Sequence, residues 1–355
     1  MKKARIIILL SCMATLSFSQ ENTLHQVLGN TDISGQWFLA YNYNENSNLN
    51  KFELKRGYFT VRTRLNDVFS VRYTQDITLD QEGEDMGNVE TRLKYLFMKM
   101  KLNEYLFFEN SYLEFGLVQR PWLDFEQKIN QYRVQGKMFT EKQHLINSAD
   151  FGATFVSLIG GTLDEEYQQN VNASSPGKYG SISLGIYNGG GYHAVEKNNN
   201  KTLEGRLSVR PVPDFHPGLQ LTYAFAYGKS NLENARDYRL NLFYLSSESK
   251  YHVAAVQYYF GKGDYSGFYI NDASNAINNS GYSLFGEFKI PKTKFALFSR
   301  YDYFIVEDHA QFDQNTFIGG VSYRFLKNKV LFHYNRIDCL AGITKIYELS
   351  LEVKF

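Results

Sequence analysis

The sequence predicts an all-β fold, a transmembrane antiparallel up-and-down β-barrel of about 16 strands. Three observations support this. Apolar and polar residues alternate with a period of two along most of the chain. A stretch with the composition of a secretory leader precedes the alternating region. The remainder contains no run of about 18 uninterrupted apolar residues, which excludes a bundle of membrane-spanning helices.

Residues 1–19 resemble a secretory signal peptide. Basic residues come first, residues 6–10 are apolar, and Ser17 and Ser19 have the spacing that a signal peptidase recognises. A membrane helix needs about 20 apolar residues, so this run is too short. Cys12 leaves a lipoprotein anchor open as a second interpretation, although the residues before it match that pattern only loosely. We expect cleavage after residue 19, leaving residues 20–355 as one barrel domain.

The C-terminal segment shows the alternation best. Between residues 345 and 355, Tyr347, Leu349 and Leu351 share one face, while Glu348 and Glu352 lie on the other. Successive side chains of a strand point to opposite faces, so one face is apolar and the other polar. Comparable segments predict sixteen strands near residues 33–43, 51–65, 67–79, 89–102, 107–120, 150–160, 178–188, 201–210, 218–228, 236–246, 250–261, 281–290, 294–305, 314–326, 328–337 and 345–355.

The predicted connections alternate between short and long, as in bacterial barrels with short periplasmic turns and longer external loops. The longest, residues 121–149, follows the fifth strand and breaks the alternation. Residues 161–177 are an exception, because they should form a periplasmic turn but are long and polar. A soluble β-sandwich would also alternate. The leader, the strand lengths and the apolar C-terminal face favour the barrel.

The composition agrees with a membrane barrel. The chain has 27 Tyr and 28 Phe, and aromatic residues make up 16% of it. Mean hydropathy is nevertheless −0.38, so apolar residues are interleaved with polar ones. Aromatic side chains are typical of the girdles at the two membrane interfaces. The formal net charge of +1 gives no reason to expect a nucleic-acid partner.

We find no pattern typical of an enzyme, a metal site or a cofactor site, and expect none of the three. No two of the seven histidines have HExxH spacing. Cys339 is the one cysteine after residue 19, so neither a CxxC pair nor an internal disulfide is expected. Residues 180–185 do not form a GxSxG motif. The sequence pairs no specific serine with a specific histidine.

Basic residues fall on the strand faces that we assign to the lumen. They are Arg62, Arg64, Arg72, Arg92, Arg206, Arg239, Arg300 and Arg324. Rings of Arg or Lys select anions in pores, so we expect these side chains to line a water-filled channel with a preference for anions. Acidic residues such as Asp76, Glu114 and Glu287 share the same faces. The alternative is therefore that arginine–carboxylate pairs only stiffen the wall.

Residues 121–149 are expected to fold into the lumen as a constriction loop. That arrangement would place Arg133, Lys137 and Lys142 near the narrowest part of the channel. The alternative is a solvated surface loop.

Several segments resemble the phosphate-selective porin O and P family. They are residues 52–59 (FELKRGYF), residues 67–72 (DVFSVR) followed by Asp76, residues 115–122 (FGLVQRPW), residues 151–153 (FGA) and residues 185–189 (GIYNG). The match is diffuse and covers most of the chain after the leader. The resemblance implies a trimeric outer-membrane porin of sixteen strands in which basic side chains bind anions. It also implies that Arg120 serves as a basic residue at the entry to the loop formed by residues 121–149.

Three functions are therefore considered. The first is a passive porin of the Gram-negative outer membrane, embedded in outer-membrane lipid as a homotrimer, for small polar solutes and especially anions such as phosphate. The second is a porin for sugars or other neutral solutes. The third is a barrel without a transport role, such as an adhesin, a secretion component or a lipid hydrolase.

Overall fold

The computed structural model describes residues 29–80, 86–271 and 273–355. The expected signal peptide, residues 1–19, lies outside these ranges. The first eight strands are β1 (Thr31–Asn44), β2 (Leu49–Arg64), β3 (Phe69–Leu79), β4 (Val89–Lys101), β5 (Phe108–Gln119), β6 (Ala149–Ile159), β7 (Gly180–Tyr187) and β8 (Thr202–Val209). The next eight are β9 (Gln220–Lys229), β10 (Asp237–Glu248), β11 (His252–Lys262), β12 (Asn278–Lys289), β13 (Phe295–Val306), β14 (Gln314–Phe325), β15 (Asn328–Cys339) and β16 (Gly342–Lys354).

The strands form one closed antiparallel barrel. Each strand pairs with its neighbour in sequence, and β1 pairs with β16, where Gln36 lies opposite Lys354. A sheet in lipid cannot leave a row of N–H and C=O groups unpaired, and closure removes that edge. The predicted barrel of sixteen strands is confirmed. Every observed strand boundary lies within three residues of its predicted position.

Apolar side chains cover the outer face of the barrel. In β16, Tyr347 and Leu349 are 41% and 49% exposed, whereas Ser350 and Glu352 on the opposite face are 0% and 1% exposed. This is the arrangement expected when lipid contacts one face of the sheet and the lumen lies on the other. None of the described helices meets the length and hydropathy that a membrane-spanning helix requires.

The two ends of the barrel differ in the length of their connections. At the turn end, where β1 begins and β16 ends, short connections such as residues 65–68 and 326–327 predominate. The opposite end, which we call the loop end, carries longer connections such as residues 120–148, 188–201 and 263–277. Helices α1 (Pro121–Ile129) and α2 (Phe139–Lys142) belong to the first of these.

The long turn-end connection, residues 160–179, is a packed segment. It contains helix α3 (Glu165–Asn170), whose N-cap residue Asp164 accepts a hydrogen bond from the backbone N–H of Tyr167 at 2.7 Å. Tyr167 and Asn172 are 7% and 8% exposed. The sequence could not explain why this connection is long. The structure shows that it folds back against the barrel.

Candidate functional site

The β5–β6 loop, residues 120–148, lies inside the barrel. Pro121 stands in the first turn of α1, where its missing N–H costs no helix hydrogen bond. The helix buries an apolar side that includes Trp122, Leu123 and Phe125. Trp122 packs edge-on against Tyr244 of β10, with 5.1 Å between ring centroids.

The loop packs on an apolar stretch of the inner wall between β10 and β15. Tyr132 is fully buried, and its ring lies 4.4 Å from that of Phe298, measured between centroids. Its hydroxyl donates to Glu287 at 2.7 Å and lies 2.8 Å from the Ser322 hydroxyl. The inward side chains that complete the contact are apolar and include Leu240, Leu242, Tyr259, Phe285, Phe304, Ile318 and Leu331. An apolar lumen wall is stable here because the loop covers it.

Polar side chains of the wall also hold the loop backbone. Arg300 donates to the carbonyl oxygen of Lys137 at 2.8 Å, and Lys329 donates to that of Gln131 at 2.9 Å. The hydroxyl of Tyr238 donates to the carbonyl oxygen of Leu145 at 2.7 Å. These bonds satisfy loop backbone groups that have no secondary-structure partner. The loop is therefore attached along its length.

The turn-end segment 160–179 meets this loop. The amide of Asn172 donates to the carbonyl oxygen of Lys128 at 3.0 Å and to the carboxylate of Glu248 at 2.9 Å. Arg210, at the end of β8, donates to the carbonyl oxygen of Gly177 at 3.1 Å. Packing from both ends thus fills the part of the lumen next to β8–β15.

Open space remains along β1–β5. Two cavities of about 610 Å³ and about 300 Å³ lie between this wall and the loop. They share Arg62, Arg72 and Gln119, so they adjoin each other. The larger one reaches Asn66 and Asp67 at the turn end. The smaller one extends to Tyr58 and Arg133 beside the loop.

Basic side chains dominate the lining of these two cavities. Nine contribute, namely Arg62, Arg64, Arg72, Lys94, Lys99, Lys101, Lys128, Arg133 and Lys354. Three acidic side chains line the same space, namely Asp32, Asp67 and Glu114. Lys128 and Lys354 are in addition ion-paired with Asp124 and Glu352, at 2.6 and 2.7 Å. The remaining excess of four basic groups gives this side of the lumen a positive potential, strengthened by the low-dielectric walls around it.

The smaller cavity is bounded by cations that contact tyrosine rings. Arg133 donates to the hydroxyl of Tyr58 at 3.0 Å. The Lys94 ammonium donates to the Ser148 hydroxyl at 2.8 Å and lies 5.2 Å from the centroid of the Tyr58 ring. Towards the loop end, Arg56 and Arg92 approach the buried carboxylate of Asp76 at 3.4 and 3.5 Å. A series of basic groups therefore runs from the turn end towards the loop end.

The twelve residues predicted from the sequence divide into groups. Four of them line the cavities, namely Arg62, Arg64, Arg72 and Arg133. Arg92 lies beside Asp76, as described above. On the loop, the Lys137 side chain is exposed, whereas Lys142 donates to the Thr316 hydroxyl at 2.6 Å.

Four predicted residues lie on the filled side of the lumen, bonded to protein groups. Arg120, Arg300 and Arg324 form ion pairs with Glu204, Asp302 and Glu287, respectively. Arg206 donates to the hydroxyls of Ser181 and Ser208. For the three ion pairs, the geometry is that of the alternative in which arginines stiffen the wall.

The assignment of Arg239 to the lumen is wrong. Its side chain is 61% exposed on the outer face, while its neighbours Tyr238 and Leu240 point inward and are each 1% exposed. The sequence interpretation placed apolar residues outside and charges inside. On β10 this rule is inverted, because the inward residues are apolar where they meet the loop.

Sequence reasoning did not include Lys99 and Lys101 among the site residues. A register shift between β3 and β4 occurs at Thr74 and Gln75, opposite Lys94. At this bulge, the consecutive residues Lys94 and Tyr95 both approach the lumen. After it, the inward positions of β4 are the odd-numbered residues instead of the even-numbered ones. Strict alternation from Arg92 therefore assigns Lys99 to the wrong face. The signal that could have found both lysines was their spacing of two.

The fold is shared with known outer-membrane proteins. The trimer form of in-vitro folded OmpT of Vibrio cholerae matches with a TM-score of 0.59 at 12% identity, over 92% of this chain and 99% of that chain. OmpF of Salmonella typhi, in complex with daunomycin, gives 0.60 at 11% identity over 92% and 97%. The anion-selective porin from Comamonas acidovorans gives 0.61 at 8% identity over 92% and 99%.

These similarities establish a porin-type barrel and, at such low identity, nothing finer. No family model matches the chain, and no curated protein matches its sequence. The resemblance to the phosphate-selective porin O and P family is therefore not confirmed beyond the shared barrel type.

The expectation that the chain is not an enzyme is withdrawn. Three of the structural matches are to OmpT of Vibrio cholerae, and similarity at this level does not decide between catalytic and non-catalytic barrels. The structure also pairs a serine with histidines, which the sequence did not indicate. The Ser247 hydroxyl lies 2.8 Å from Nε2 of His216 and 3.0 Å from Nε2 of His252.

Tyr132 provides a test of how the loop is attached. Replacing Tyr132 with Ala removes the ring from Phe298 and the hydroxyl from Glu287, which should cost about 3–5 kcal/mol of loop packing. We expect trypsin to cut the loop of the folded barrel at Lys128 and Arg133 much faster than in the wild type. The Tyr132→Phe variant keeps the ring and should lose only about 1 kcal/mol. An Ala variant as resistant as the wild type would contradict this attachment.

Glu126 makes loop packing sensitive to pH. Its side chain is buried against the wall, and this burial raises the pKa of Glu126 from 4.5 to about 8, with Arg300 opposing the shift. The packed loop favours the neutral carboxyl. The contribution of the neutral Glu126 carboxyl to loop stability is therefore fully present below pH 4.5, and it is lost as the pH rises towards about 8. We expect loop cleavage by a protease active from pH 5 to 9 to accelerate over this range. Glu126→Gln should weaken the dependence; an unchanged profile would refute the assignment.

Proposed function

We propose that the chain is an outer-membrane pore for the passive diffusion of small hydrophilic solutes, with a preference for anions. The observation that carries the proposal is the position of the charges. Nine basic and three acidic side chains line the open side of the lumen, while the other side is filled. Rings or rows of Arg and Lys along a pore favour anions by charge.

The cations of the open side are arranged so that their charge is available to a solute. Arg62 and Arg72 are direct partners across β2 and β3, an arrangement that like charges normally disfavour. Their hydrogen bonds go to the neutral oxygens of Ser34 and Gln119, at 3.4 and 2.9 Å. Arg72 also donates to the Thr74 hydroxyl at 3.1 Å, and Asp32 on β1 lies opposite Arg62 as the one carboxylate paired with it in the sheet register. Two arginines thus face one directly opposed carboxylate. A passing anion would relieve the repulsion between the two arginines.

The β5–β6 loop acts as the constriction in this proposal. It narrows the lumen from the filled side and brings Arg133 to the smaller cavity. Guanidinium groups bind phosphate and carboxylate in a bidentate fork, so phosphate belongs to the range of solutes that we propose. Lys137 and Lys142 belong to the same loop. The bond of Lys142 to Thr316 gives it a role in holding the loop.

We further propose that the barrel works as a homotrimer in the outer membrane after removal of residues 1–19. Exposed apolar residues on the outer face support a lipid environment. One structural neighbour, OmpT of Vibrio cholerae, is described in a trimer form.

A pore for neutral solutes such as sugars is the second candidate. One observation favours it, namely that Tyr58, Tyr95, Phe97 and Tyr112 line the same cavities as the basic residues. Aromatic rings stack on the apolar faces of sugars. Block of the current by added maltose would support this candidate over the anion pore.

Ion selectivity tests the proposal directly. We expect the Arg62→Gln/Arg72→Gln double variant to shift the reversal potential of planar-bilayer currents, under a KCl gradient, towards the cation value. The matched control is Arg336→Gln/Lys345→Gln, which removes two charges from ion pairs near the loop end. The control should leave the potential unchanged. Equal potentials for the wild type and the Arg62/Arg72 variant would exclude these arginines from selectivity.

A further inference from the structure

Arg239 belongs to a group of cations on the outer face of the barrel. It lies opposite Lys262 on β11 in the sheet register, and its neighbour Asp237 lies opposite Lys229 on β9. We call Lys229, Arg239 and Lys262 the outer basic cluster. All three stand at the loop ends of their strands, on the face that lipid contacts. Because these charges lie outside the barrel, they cannot act on a solute in the lumen.

The outer basic cluster is not neutralised by the protein. Asp237 pairs with Lys229 at 2.6 Å and lies 3.9 Å from Arg239. Three positive charges thus share one negative charge among the described residues, which leaves a local charge of +2. Elsewhere near the loop end, Arg336 pairs with Asp338 and Lys345 pairs with Glu45, each at 2.9 Å. The outer basic cluster therefore has positive charge available to an external anion.

A polar layer and an apolar groove follow below the outer basic cluster. The hydroxyls of Tyr223 and Tyr227 donate to the side-chain oxygen of Asn241, two residues from Arg239. A groove of about 460 Å³ begins beyond this layer, and its lining is mainly apolar. It includes Leu207, Val209, Leu221, Phe243, Leu245 and Val256. Phe243 lies four residues from Arg239, or about 14 Å along an extended strand.

We propose that this surface binds a phosphate-bearing, acylated lipid of the leaflet at the loop end. The headgroup phosphate would lie between Arg239 and Lys262, and one acyl chain would occupy the groove at Phe243 and Leu245. Charge complementarity fixes the headgroup, since Arg and Lys both favour phosphate. The surface presents charge, then a polar layer, then an apolar groove, which is the order of headgroup, linkage region and acyl chain in a lipid. The proposal rests on the barrel spanning a membrane but not on its acting as a pore.

Native mass spectrometry of the detergent-solubilised barrel with monophosphoryl lipid A tests this. We expect the wild type to retain the lipid and Arg239→Gln/Lys262→Gln to bind it at least tenfold more weakly. Phe243→Ala/Leu245→Ala removes two apolar side chains from the lining of the groove but keeps the charges, and it should also weaken binding. The matched control, Arg336→Gln/Lys345→Gln, should bind as the wild type does.

The source of the phosphate is distinguished in the same experiment. Millimolar inorganic phosphate should not displace the lipid, because it cannot fill the groove, and diacylglycerol without a phosphate should not bind. Equal binding by the wild type and the Arg239/Lys262 variant would overturn the proposal. So would equal weakening in the control variant, or full displacement by inorganic phosphate. Bilayer currents in the same variants report on the pore independently of lipid binding. The lipid-binding proposal and the proposed pore function can therefore fail separately.

Discussion

A closed barrel of sixteen strands encloses more space than its own inward side chains can fill, and the rest of this structure depends on how that space is divided. Packing of the β5–β6 loop against β10–β15 settles the division. Tyr132 and the apolar residues around it bury one side of the lumen, and the segment at residues 160–179 supports the loop from the turn end. The open space is left to the wall formed by β1–β5.

The two sides of the lumen therefore follow different rules for charge. On the filled side, buried cations need partners, and Arg120 and Arg300 pair with Glu204 and Asp302. On the open side, solvent can screen the cations, so Arg62 and Arg72 persist as direct neighbours. The net charge of the whole lumen does not show this difference between paired and solvent-screened cations. Where a basic residue lies relative to the loop decides whether it can meet a solute.

The fold could be predicted from the sequence almost completely, because lipid on one face imposes a period of two that is visible residue by residue. The site could be predicted only in part. Arg239 was assigned to the lumen because the apolar inward face of β10 looks like a lipid face until the loop is placed on it. Lys99 was missed because the bulge opposite Thr74 changes the phase of β4, which strict alternation from Arg92 does not follow. Packing of the loop on β10 accounts for the first error, and the pairing of β3 with β4 accounts for the second.

The central claim is that water follows β1–β5 and is excluded from the wall beneath the loop. Two serines allow a matched measurement in a Cys339→Ser background: Ser70 lines the larger cavity, and Ser322 is fully buried beside Tyr132. We expect an anionic methanethiosulfonate reagent to modify Ser70→Cys rapidly in the membrane and to leave Ser322→Cys unmodified. Comparable rates at the two positions, or faster modification at Ser322→Cys, would contradict the divided lumen.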